Sequence, residues 1–164
     1  MFLMPSIRRL SGLMTLFCLG LIAVAMVLQF VYGLAPCPLC VVQRAILFVV
    51  MFLFLIGAIY EPSRLWRRGY YFVVVLMAFL GVLTAARQVW LQHLPAGKVP
   101  SCGMGLDFML ANLPLSETIT LLFHGTAECS KVQWVFLGLS IPEWTTLSFS
   151  FLMAIGVIQL LRTK

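Results

Sequence analysis

Four long apolar runs constrain this chain more than any other feature: residues 10–31, 41–60, 70–90 and 144–161. Each is close to the roughly 17 to 25 residues that a helix needs to cross a bilayer. The apolar residues come in continuous runs rather than at amphipathic spacing, in a chain that is 62% hydrophobic and only 10% charged. The expectation is an all-α membrane protein: one domain over residues 1–164, a four-transmembrane-helix bundle with loops at about 32–40 and 91–143. The last run is the shortest and carries Thr145, Thr146, Ser148 and Ser150. It is expected either to pack this polar face on its neighbours or to span with little tilt.

The formal net charge of +6 raises the question of a nucleic-acid partner, and the placement of the charges answers it. Arg8 and Arg9 precede the first run, Arg64, Arg67 and Arg68 separate the second from the third, and Arg162 and Lys164 end the chain. With an even number of spans these all share one side, which the positive-inside rule makes the cytoplasm. The opposite side holds Asp107, Glu117, Glu128 and Glu143 against Lys98 and Lys131. The basic residues thus orient the protein in a membrane, and nucleic acid drops out. Arg8 and Arg9 ahead of an apolar run also look like a secretory signal, but the run exceeds the usual length of about 7 to 15 residues and reads as an uncleaved first span. Cys18 within it reads as a small hydrophobe.

The chemistry is concentrated at Pro36-Cys37-Pro38-Leu39-Cys40. Two cysteines separated by two residues either close a small disulfide or donate two thiolates to a metal. An apolar run begins directly after Cys40, so the pair sits at a helix start, where unpaired N–H groups and the macrodipole favour a thiolate. Arg44 follows Cys40 at i+4 on the same helix face, and its charge is expected to lower the thiol pKa further. Pro36 and Pro38 stiffen the turn that brings both sulfurs to the membrane surface. Gln43 and Arg44 stand at the outer edge of the second span. An arginine there often only snorkels to the interface, but beside a cysteine pair it becomes a candidate donor to an electron acceptor dissolved in the membrane.

The remaining cysteines, Cys102 and Cys129, lie in the 91–143 loop. They are expected to pair, because the compartment is oxidising in this orientation and a bond across a long loop restrains it. Gly97, Pro100, Gly103 and Gly105 mark a mobile arm around Cys102, and Phe108-Met109-Leu110 and residues 119–123 read as surface-lying apolar pieces. Trp90 fits an interfacial aromatic belt, and His93 and His124 read as surface residues without ligand spacing. A zinc site brings together two close cysteine pairs, and here only one exists. A haem attachment motif needs histidine where Val41 stands. No metal is expected. Two disulfides able to relay electrons by thiol exchange remain, beside the alternative of a non-catalytic scaffold with two structural disulfides.

The chain resembles the DsbB family, bacterial inner-membrane enzymes that reoxidise the periplasmic oxidant DsbA. The resemblance rests on Cys37-x-x-Cys40 with Arg44, on Cys102, and on Cys129 followed by Gln133-Trp134-x-Phe136-Leu137-Gly138-Leu139 and Pro142-x-Trp144. It runs nearly end to end. It implies that reduced DsbA attacks Cys102 and forms a mixed disulfide, and that the released Cys129 exchanges with Cys37. Cys40 is then left as the thiolate that passes electrons to ubiquinone or menaquinone near Arg44. It gives no role to Cys18, Arg87 or Gln88.

Overall fold

A computed structural model of the chain describes residues 7–34, 36–60, 66–94, 114, 127–130, 132 and 134–162. Four helices in it are long and apolar enough to cross a membrane: α1 (Ile7–Phe30), α2 (Pro38–Ile59), α3 (Arg67–Gln92) and, last in the chain, α5 (Ile141–Arg162). A segment in hydrocarbon must satisfy its backbone internally, and a single run does so only as a helix. Between α3 and α5 lie a short helix, α4 (Ala127–Ser130), and a two-stranded hairpin, β1 (Val135–Phe136) with β2 (Leu139–Ser140). Cys102, His124, the glycine-rich arm and the two apolar patches fall outside the described residues, as do Arg64 and Lys164.

Helix α3 packs chiefly on α5, α1 on α2, and α2 on α3. An edge-to-face contact between Phe17 of α1 and Phe151 of α5, with centroids 5.5 Å apart, joins the outer pair. Met14, Cys18, Ile22, Leu47, Val50, Phe54, Val74, Ala78, Phe149 and Leu152 form one core drawn from all four helices. Cys18 is therefore a packed core residue. The outward faces are apolar too, with Leu16, Phe52, Phe72 and Leu147 among the exposed large side chains. Helices apolar on every side suit lipid around the bundle as well as protein within it.

Small residues set the closest approach. A Cβ at Gly81 of α3 would collide with the Phe149 ring of α5, and one at Gly156 would lie 2.9 Å from a Val75 methyl. The hydroxyls of the last span do not need neighbours, because each donates to the carbonyl one turn back. Thr145 bonds to Ile141 at 2.9 Å, Thr146 to Pro142 at 2.7 Å, and Ser148 to Trp144 and Ser150 to Thr146 at 2.8 Å.

At one end of the bundle the Arg8 side chain donates to the Ala58 carbonyl at 2.9 Å, so α1 begins where α2 finishes. At the other end the hairpin caps α5. Its two-residue turn places Leu137 at φ 53° and Gly138 at φ 83°, the doubly left-handed geometry that joins twisted antiparallel strands. Glycine adopts it freely and leucine does not. Ser140 N–H and Oγ–H donate to the Glu143 carboxylate at 2.6 and 2.9 Å, one half of a capping box. The Trp144 indole N–H reaches back to the Phe136 carbonyl at 3.1 Å and ties the hairpin to the first turn of α5.

Candidate functional site

Helix α2 starts at Pro38, three residues before the apolar run, because proline suits the first helical position and Cys37 caps the end. Cys37 is extended (φ −71°, ψ 160°), and its Sγ accepts the Cys40 N–H at 3.3 Å. Sulfur takes the place that an oxygen usually fills at an N-cap. Both cysteines thus sit at the positive end of the helix dipole, Cys37 as the cap and Cys40 within the first turn. Both are thiols here.

The pair is not open to solvent as a surface turn would be. Cys37 is 2% exposed and packs with Leu39, Leu91 and the fully buried Cys129 of α4, with Cys40 and Leu94 at the margin. Hydrogen bonding to Cys129 and to Cys40, with burial added, holds the Cys37 thiol well above the ordinary thiol range. Negative charge in the cluster is therefore disfavoured on Cys37. The site brings together three of the four loop cysteines singled out in the sequence. Cys102 lies outside the described residues.

A side chain with no assigned role completes the cluster. Gln88 of α3 is 4% exposed, and its amide Nε2 lies 3.3 Å from the Sγ of Cys37 and 3.3 Å from that of Cys40. Its Oε1 accepts from Gln43 Nε2 at 2.8 Å and, more weakly, from the Cys40 thiol at 3.8 Å. Arg87, next in sequence, turns the other way and stacks over Trp90, 4.3 Å from the ring centroid. His93 Nδ1 lies 2.9 Å from the Val89 carbonyl of its own helix, on the surface as expected.

Cys40, Gln43, Arg44 and Gln88 line one wall of a cavity of about 460 Å3. Leu21, Val24, Leu28, Leu47 and Phe149 supply apolar walls, and Trp134, Phe136 and Trp144 line it from the hairpin side and the start of α5. Trp134 and Phe136 stack with rings 5.6 Å apart and nearly parallel, at 7°. Arg44 reaches the cavity but does not point at the cysteine. Its guanidinium donates to Gln29 Oε1 and, at 3.1 Å, to the Ala25 carbonyl, both on α1. The group donating to the Cys40 sulfur is the carboxamide of Gln88. One signal for Gln88 was available in the sequence: Gln29, Gln43 and Gln88 are uncharged polar residues at the same end of three apolar runs, and polar groups inside a membrane segment mark function.

An apolar cavity with a few convergent polar groups at one end suits a small hydrophobic ligand with a polar head. Among the described residues, no group of three or more His, Cys, Asp or Glu is arranged to hold a metal ion. A model of the family described as "Disulfide bond formation protein DsbB" matches residues 7–159. The chain is 42% identical over 158 residues to Disulfide bond formation protein B of Nitrosococcus oceani, covering 96% of this chain and 94% of that protein. It is 43% identical to the protein of the same name from Methylococcus capsulatus, over 95% of each. It is also 43% identical to Disulfide bond formation protein B 1 of Pseudomonas aeruginosa, over 97% of this chain and 98% of that one. Thiols gathered at the end of four membrane-length helices fit a disulfide-forming oxidoreductase, and with these matches the chain, a multi-pass membrane protein, belongs to the DsbB family of disulfide bond formation proteins.

Proposed function

We propose that this protein reoxidises a periplasmic thioredoxin-fold dithiol oxidase of the DsbA type, relaying electrons through Cys102/Cys129 and then Cys37/Cys40 to membrane quinone. The observation that carries this reading is the burial of Cys129 against Cys37, while Cys40 opens on the cavity. The protein sits in the bacterial inner membrane with both termini cytoplasmic, a placement supported by Arg8, Arg9, Arg67, Arg68 and Arg162 at one end.

Each exchange breaks one disulfide as it forms another. A partner thiolate attacks Cys102, breaking the Cys102–Cys129 bond and releasing Cys129 as a thiolate. Cys129 attacks Cys37, breaking the Cys37–Cys40 bond and leaving the charge on Cys40. The partner's second thiol then displaces Cys102, and Cys102 recovers Cys129 and frees Cys37. Closing Cys37 to Cys40 again requires two electrons to leave. Ubiquinone or menaquinone fits the cavity by its apolar walls and by the polar end formed by Arg44, Gln43 and Gln88. When bound, it supplies a sink for two electrons and two protons. Arg44, held by Gln29 and Ala25, keeps a fixed positive charge at that end, and the aromatic residues at the hairpin add apolar wall beside it.

The test is oxidation of a reduced thioredoxin-fold partner by the purified protein with a short-chain ubiquinone. One partner disulfide is expected per quinone reduced. No quinone-dependent oxidation would overturn the reading. A scaffold with static disulfides predicts instead potentials below about −300 mV for both pairs.

A further inference from the structure

We infer that Gln88 is a positioning residue whose carboxamide, clamped by Gln43, holds the Cys40 sulfur toward the cavity as an anion ready to give up electrons. The inference rests on the quinone-linked reading proposed above. An NH2 group has two hydrogens, and the two sulfurs of the pair are its two acceptors, each at 3.3 Å. Its oxygen accepts the Gln43 amide at 2.8 Å, which fixes the face that the NH2 group presents to the cysteines, and a protonated Cys40 would reach that oxygen only at 3.8 Å, farther than the NH2 group lies from the sulfur. A buried carboxamide without such partners would be costly, so these contacts hold together.

The contacts favour one state of the pair. Hydrogen bonds to a charged acceptor are stronger than those to a neutral one, and a disulfide sulfur is a weak acceptor. The amide also has no proton to give up, so it stabilises a Cys40 thiolate without neutralising it. Closing the Cys37–Cys40 bond from one thiol and one thiolate releases two electrons and one proton. With a quinone as acceptor, these leave together with a second proton from water.

The test uses the full-length, fully reduced protein without quinone, and measures the rate at which iodoacetamide labels Cys40, read by peptide mass spectrometry. Gln88→Leu removes the donors. Gln88→Glu keeps the shape but puts a carboxylate oxygen where the amide donor was. Both are expected to slow Cys40 labelling about tenfold, the size of one hydrogen bond to a charged group. Gln43→Leu leaves Gln88 in place and only loosens the clamp, and should give a smaller loss in the same direction. With saturating short-chain ubiquinone, the Gln88 variants should lose kcat by a similar factor. Wild-type labelling in Gln88→Glu would overturn the inference, because the side chain would then matter only as volume. Slowed labelling in a protein whose wild type oxidises no thiols with quinone would uphold Gln88 and refute the quinone reading instead.

Discussion

Replacing Arg44 separates charge from anchoring. The guanidinium donates to Gln29 Oε1 and the Ala25 carbonyl, so it ties α2 to α1 and also places a positive charge on the cavity wall. Arg44→Ala removes both functions. The anchoring is two hydrogen bonds inside a membrane protein, each of roughly 0.6 to 1.5 kcal/mol, so about 1 to 3 kcal/mol of stability is lost. The interaction with an acceptor that becomes negative is that of one charged donor, about 1.5 to 3 kcal/mol, which corresponds to roughly ten- to hundredfold in apparent affinity. Arg44→Lys keeps the charge but cannot hold two acceptors in a planar fork. It should therefore lose stability like the alanine variant, yet keep most of the quinone interaction. Steady-state oxidation of a reduced thioredoxin-fold partner, with short-chain ubiquinone varied, gives KM and kcat, and thermal unfolding in detergent gives the stability. An Arg44→Ala protein with unchanged quinone kinetics would refute the reasoning and leave the residue as a helix-to-helix tie.

Cys37→Ser and Cys40→Ser should each abolish quinone-dependent thiol oxidation while circular dichroism shows unchanged helix content, since the main core is built elsewhere; residual turnover above a trace would count against the pair. Cys129→Ser should accumulate a mixed disulfide between Cys102 and the partner, visible on non-reducing gels and mapped by mass spectrometry, and Cys102→Ser should trap far less. Gly81→Val drives a side chain into the Phe149 ring and should cost about 1 to 3 kcal/mol, read as a lowered Tm.

The four spans were legible because lipid imposes one solution on a long apolar run. Their ends were less so. Hydropathy registers Val41 as the start of the second run, while the helix begins at Pro38, where backbone geometry and the Cys37 cap decide. The last helix likewise begins at Ile141, set by the Ser140–Glu143 contacts and the hairpin ahead of it. The cysteine pair and Arg44 were legible through spacing. What spacing could not give is which groups meet across the bundle. An i, i+4 relation put Arg44 beside Cys40, but two acceptors on α1 draw its head away, and Gln88 from α3 meets the sulfur instead. Nor does sequence distance show that α4 buries Cys129 on Cys37, since that contact depends on the whole path of the chain between α3 and α5.

The relay stands or falls on exchange between Cys129 and Cys37. A Cys40→Ser, Cys102→Ser double variant leaves these two as the only loop cysteines, packed in one buried cluster. On mild oxidation of the purified protein, peptide mass spectrometry should find a Cys37–Cys129 disulfide in most molecules, formed without loss of helix content. Cys37 and Cys129 remaining as separate thiols under conditions that oxidise the wild-type pair would contradict it.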